Sequence, residues 1–150
     1  MKIIFNSHAK GTKIKEMKYV DGFVLVVSEK HLPAYRKMAE EAGKIWKKYG
    51  ALEYIESVGE DLDPDVPAEM KDVPAEMKRA TFPQIAGAKP GETVVFSYIL
   101  FKSRQHRDEV NAKVMKEMEA EMNKPENQGK PMPFDMKRMA YGGFEVIVEA

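Results

Sequence analysis

The 150-residue chain predicts an α+β domain built on one four-stranded sheet, and three observations carry that reading. Two segments, YVDGFVLVVS at 19–28 and ETVVFSYILF at 92–101, are apolar on both alternating faces, as strands in the middle of a sheet are. Each is followed by a long stretch whose apolar residues recur at helical spacing. Two further strand-like segments, at 51–61 and 138–149, carry charges on one face and suit sheet edges. The order is βαββαβ.

Each element has its own signature. The first strand sets Phe23, Leu25 and Val27 against Val20, Val24 and Val26. In HLPAYRKMAEEAGKIWKKYG, residues 31–50, a helical stripe runs through Leu32, Tyr35, Met38, Ala42, Ile45, Trp46 and Tyr49. Pro33 fits its first turn and Gly50 ends it. ALEYIESVGED, residues 51–61, is the charged second strand. Residues 61–91 are acidic, then proline-rich, and hold an immediate duplication, DVPAEMK at 65–71 and again at 72–78. Pro67 and Pro74 exclude a continuing coiled coil, so this segment reads as a long surface loop. The third strand sets Val94, Phe96, Tyr98 and Leu100 against Val95, Ile99 and Phe101. Ser103 caps a second helix at 103–123, striped by Val110, Val114, Met118 and Met122 and closed before Pro125. In the last strand Phe144, Val146 and Val148 alternate with Glu145 and Glu149.

With right-handed crossovers, βαββαβ gives a split, ferredoxin-like sheet in the spatial order 4-1-3-2, both helices on one face. The two doubly apolar strands then fall at the centre. Their second face has no helix to cover it, and a large exposed apolar patch is uncommon on a monomer. Two sheets packed face to face across a two-fold axis would cover it, so a homodimer enclosing a barrel-like interior is expected.

Composition narrows the function classes. Without cysteine there is no disulfide, thiolate nucleophile or Cys-based zinc site, and a reducing cytoplasmic location fits. Lys plus Arg and Asp plus Glu balance at 24 each, so neither nucleic acid nor a membrane surface is expected as partner. The first sixteen residues offer only three consecutive apolar positions, too few for a signal or membrane segment. Phosphate-loop and H-E-x-x-H patterns are missing, and His8, His31 and His106 are scattered, so no metal and no cofactor are expected.

Candidate site residues remain. His106, near the start of the second helix, is the obvious acid or base near neutral pH, and Asn111 follows it. Asp21 interrupts an apolar strand, as does Ser97. PFDMKRMAYGGFE, residues 133–145, supplies Asp135 for a turn, and Arg138 and Tyr141 as donors for an anionic or carbonyl-bearing ligand. Gly142 and Gly143 read as a bulge or a close backbone approach.

Together with MKYVDGF at 17–23, AYRKMAEEAGKIWKKYGALEYIE and ETVVFSYILFKSRQHRDEVNAKVM, that C-terminal stretch resembles the YbaA-like bacterial family of unknown function, over residues 17–150. The resemblance implies the dimeric α/β-barrel superfamily and leaves the activity open. It also implies that residues 1–16 are an N-terminal extension to a single domain at 17–150, and that the duplication lengthens a loop. The expected function is a homodimer binding a small molecule in an internal cavity. The alternatives are a cofactor-independent monooxygenase or isomerase-like enzyme, and a structural or interaction module.

Overall fold

The computed structural model describes residues 16–65 and 67–150, so nearly all of the expected extension at 1–16 lies outside the described residues. Four antiparallel strands, β1 (Tyr19–Ser28), β2 (Glu53–Val58), β3 (Glu92–Phe101) and β4 (Ala140–Glu145), form one sheet in the order β2-β3-β1-β4. This is the 4-1-3-2 arrangement that the strand hydrophobicities require, and the chain is α+β, consistent with a ferredoxin-like fold. The central pair is in continuous register, from Tyr19 opposite Phe101 to Ser28 opposite Glu92.

Strand parity decides what each face does. Odd-numbered residues of β1 and β3 face α1 (Leu32–Lys48) and α3 (Arg104–Met122). Tyr35 and Ala39 of α1 pack with Leu25, Val27 and Val95; Val110 and Val114 of α3 pack with Ile99 and Phe101. Burying side chains of this size contributes about 1.5–3 kcal/mol each, which makes this layer the main source of stability. Both helix ends follow their sequence signals. The Ser103 hydroxyl accepts from the His106 amide at 3.0 Å, and Gly50 takes φ 111° just beyond α1, a conformation that glycine adopts freely.

The even-numbered face is only partly covered. In the connection read as a loop, the structure adds a short helix, α2 (Phe82–Ala86), closed by a capping box between Thr81 and Gln84 and by Gly87 at φ 68°. Phe82 meets Phe96 edge-on at 6.2 Å between ring centres, and Val26 and Val94 of this face are buried. Elsewhere the face stays open: Phe96 is 46% exposed, and Ile55 and Phe144 are exposed too.

The described residues of the duplicated heptapeptides repeat one feature. Each copy makes a 3₁₀ turn, Ala68–Met70 and Ala75–Met77, with the Met70 amide on the Pro67 carbonyl and the Met77 amide on the Pro74 carbonyl, both at 2.8 Å.

The last strand is shorter than its alternation suggests, because its partner runs out. β4 pairs with β1 as far as Tyr19 opposite Glu145; beyond that, among the described residues, the Lys18 carbonyl takes the Val146 amide at 2.9 Å and the Lys18 ammonium reaches Glu149. Ile147 and Val148 are exposed. Gly142 and Gly143 form no bulge, since they pair in plain register with Gly22 and Asp21, and neither has positive φ.

Candidate functional site

A polar cluster lies between the sheet and α3. Asp21 points to the helix side of β1, opposite Ile99 on one neighbour and Gly143 on the other, and is 1% exposed. Its two carboxylate oxygens are divided between two α3 residues one turn apart: Arg107 Nη1 donates to Oδ1 at 3.2 Å, and Asn111 Nδ2 donates to Oδ2 at 3.0 Å. Asn111 Oδ1 in turn accepts from Trp46 Nε1 of α1 at 3.0 Å, which fixes the orientation of the amide. A buried charge is tolerable only when paired and hydrogen-bonded; Arg107 and Asn111 meet that need for Asp21, and Trp46 holds Asn111 in place.

Arg107 also reaches the opening of the cluster. Its Nη1 donates to the Tyr141 hydroxyl at 3.0 Å, Nη2 donates to the Tyr19 hydroxyl at 3.4 Å, and the guanidinium lies 4.9 Å from the Tyr19 ring centre. Nε is 2.9 Å from Asp108 Oδ1 but lacks hydrogen-bond geometry and has no other partner. Burial pulls the Arg107 pKa down, yet the charge of Asp21, helped by Tyr141, Tyr19 and Asp108, raises it overall, so the guanidinium stays charged. The Tyr141 ring stacks on Phe23 at 4.8 Å while the residue remains 50% exposed. Burial, and then the negative charge of Asp21, raises the Tyr141 phenol above its ordinary pKa.

The glycine at 143 makes this assembly fit. A Cβ there would stand 2.7 Å from Tyr19 Cε1, so the bare backbone lets the Tyr19 ring lie across β4 and support Arg107 from below. Gly142 is different: the nearest atom to its Cβ position is a Phe144 ring carbon at an ordinary 3.6 Å.

The structure thus brings together Asp21, Asn111 and Tyr141 from the sequence candidates, and holds the others elsewhere. His106 Nδ1 accepts from the Lys102 amide at 3.1 Å, and its ring packs on Phe101 and beside Gly50, on the turn that begins α3. Asp135 accepts from the Lys137 amide at 3.0 Å and caps a single turn. Arg138 forks onto Glu92 at 2.6 and 2.8 Å and also donates to the Gly87 carbonyl at 2.7 Å, tying α2 to the start of β3. Ser97 is buried on the helix side, opposite Phe23 and Glu56. Arg107 was missing from the sequence candidates. It stands three residues before Val110 and seven before Val114, on the stripe that faces the sheet, and a cation on that stripe was the available signal.

Among the described residues, no group of three His, Cys, Asp or Glu could hold a metal ion, and no helix is long and apolar enough to cross a membrane.

The profile of a family described as "Protein of unknown function (DUF1428)" matches residues 18–136. The chain is 39% identical over 133 residues to the uncharacterized protein YbaA of Escherichia coli K12, an alignment covering 89% of this chain and 99% of the relative. YbaA of Escherichia coli O157:H7 and of Shigella flexneri align with the same identity and coverage. On both counts, the chain belongs to the DUF1428 family of YbaA-like proteins.

Proposed function

We propose that the protein is a homodimer that binds a small anionic or carbonyl-bearing molecule, with the Asp21, Arg107, Asn111 and Tyr141 cluster as the site. The domain in this reading spans residues 17–150, and a reducing cytoplasm is the setting that a cysteine-free chain fits. One observation carries the site: a charged pair, Asp21 with Arg107, is retained in the layer where an apolar pair would pack, and it leads to a half-exposed phenol. Buried ion pairs add little net stability compared with apolar residues, so their retention beside an opening points to ligand chemistry. Tyr141 and Arg107 are hydrogen-bond donors, which a ligand oxygen satisfies. Arg138, Asp135 and His106 are left out of this reading because Arg138 donates to Glu92, Asp135 accepts from the Lys137 amide and His106 accepts from the Lys102 amide, all away from the cluster.

What supports the dimer is the open sheet face, where Ile55, Phe96 and Phe144 are exposed and α2 adds exposed Phe82 and Ile85. Paired copies would hide these side chains and enclose a barrel-like interior. Sedimentation at micromolar concentration should give twice 17.1 kDa, and Phe96→Glu should give the single-chain mass. A wild type that stays at the single-chain mass would overturn the dimer. For the site, benzoate and acetophenone serve as probes, read by the rise in melting temperature. Wild type and Arg138→Met should respond alike and Tyr141→Phe should not; an undiminished response in Tyr141→Phe would refute the assignment.

A second reading, an isomerase-like or cofactor-independent oxygenase activity, draws on the same hydrogen bond from Arg107 to Tyr141. Donors fixed in advance stabilise an oxyanion that develops on a bound carbonyl. Turnover lost in Tyr141→Phe, with ligand affinity kept, would favour it over binding alone.

A further inference from the structure

A second polar centre lies on the same helix-covered face of the sheet, towards the β2 edge and away from the Asp21 cluster, which lies towards β4. Between α1 and β2 there is a cleft of about 450 Å³, within the usual range for small-molecule sites. Leu32, Ala39, Val58 and Val95 give it apolar walls. Glu56, also on the lining, projects from the helix side of β2 and is half-buried. Its Oε2 accepts from the Tyr35 hydroxyl at 2.7 Å and its Oε1 from the Tyr54 hydroxyl at 2.8 Å.

Two neutral phenols orient this carboxylate without neutralising it. No ion pair to Glu56 occurs among the described residues. The single cation on the lining, Arg36, has its Nε directed to Glu40 at 3.2 Å. With Arg36, Glu40 and Glu56 charged, the lining carries a net charge of −1. A half-buried carboxylate without a counter-charge is held at a cost, and a cation entering the cleft relieves it. Both phenolic rings stand beside that carboxylate, and aromatic faces add to the attraction for an organic cation. A hard metal ion is a poor match, since one carboxylate and two neutral phenols fall short of the oxygen set that Ca²⁺ or Mg²⁺ takes from protein.

We propose that the α1–β2 cleft binds a small organic ammonium ion, its charge on Glu56 between Tyr35 and Tyr54 and its apolar part along Leu32, Val58 and Val95. This site is separate from the cluster assigned above and shares no residue with it.

The molecule contains its own reporter. Trp46 is the only tryptophan, and its ring centre lies 5.8 Å from that of Tyr54, so occupation of the cleft should change its emission. Three probes of equal length, n-hexylammonium, 1-hexanol and hexanoate, separate charge from hydrophobic filling. Wild type should respond saturably to n-hexylammonium, with affinity at least about tenfold above either other probe, the equivalent of about 1.4 kcal/mol. Glu56→Gln keeps the shape, removes the charge and should lower the ammonium affinity by a similar factor. Val58→Trp, a substitution at a half-exposed edge position, should fill the cleft and abolish the response, and it decides the matter if Glu56→Gln fails to fold. No saturable response in wild type, equal affinity for hexanol or hexanoate, or unchanged ammonium affinity in the folded variants would each overturn the proposal.

Discussion

Replacing Arg107 by Met tests whether the cluster under α3 behaves as a buried ion pair. Two hydrogen bonds from Nη1 disappear, to Asp21 at 3.2 Å and to Tyr141 at 3.0 Å. A hydrogen bond between charged groups contributes about 1.5–3 kcal/mol, and 3.2 Å is long for one, which sets the lower figure. Loss of the cation from the Tyr19 ring adds about 0.5–1 kcal/mol. Asp21, 1% exposed, then keeps one neutral donor, Asn111, and stranding a buried charge brings the total to about 3–4 kcal/mol. Asp21→Leu should cost less, about 2 kcal/mol, because Arg107 keeps contacts to Tyr141, Tyr19 and Asp108. The double variant strands neither charge, so its cost should fall below the sum of the singles by at least about 1.5 kcal/mol. Urea unfolding at one fixed protein concentration measures all four species, the concentration being held because association raises apparent stability. A single-variant cost below about 1 kcal/mol, with additivity in the double, would mean that the pair behaves like a surface salt bridge. The argument for a buried charge layer would then fail.

Three other outcomes follow from the geometry. Gly143→Ala should destabilise by about 1–3 kcal/mol in urea by forcing Tyr19 aside, while Gly142→Ala stays within about 0.5 kcal/mol; equal costs would refute the close-approach account. Arg138, chiefly by hydrogen bonding, holds the Glu92 carboxyl at about 2, below its ordinary 4.5. The stability it contributes is therefore fully present above pH 4.5 and lost as pH falls through 2, and Arg138→Met should flatten that acid limb of the melting temperature. Deleting residues 72–78 should change stability by less than about 1 kcal/mol, because the sequence removed is one of two equivalent exposed turns; a loss of several would mean that the turn packs against the core.

The sheet was legible because parity and burial agree along whole strands. Leu25, Val27, Val95 and Ile99 fall on the helix side as their alternation implies, and Glu53 and Glu145 mark the edges. The helix over residues 82–86 was harder to see. Its capping pair, Thr81 and Gln84, and its closing Gly87 are in the sequence, but five residues give no helical period, and the surrounding prolines favour loop. Asp21 stood out as a polar residue in an apolar strand, and Asn111 as a polar residue on a helix. Their meeting could not be read, because it joins positions 90 apart and needs the register of β1 beneath α3. The same distance hides the partner of Arg138: a cation beside a strand edge is plain in sequence, whereas its fork onto Glu92 depends on where two loops converge.

The paired heptapeptides make the connection between β2 and α2 an engineering site. Each copy carries the same 3₁₀ turn, closed by a hydrogen bond to its own proline carbonyl, and Arg79 closes the segment behind them by reaching back to Asp63 at 3.3 Å and to the Pro64 carbonyl. Length in this stretch is therefore a free variable. Going from two copies to three lengthens the 23-residue connection at 59–81 by about a third, which by loop-closure entropy costs only about 0.2 kcal/mol. A peptide epitope, a purification handle or a tethering cysteine placed at the junction between residues 71 and 72 would sit in solvent, in a chain whose own lack of cysteine leaves that thiol unique for labelling.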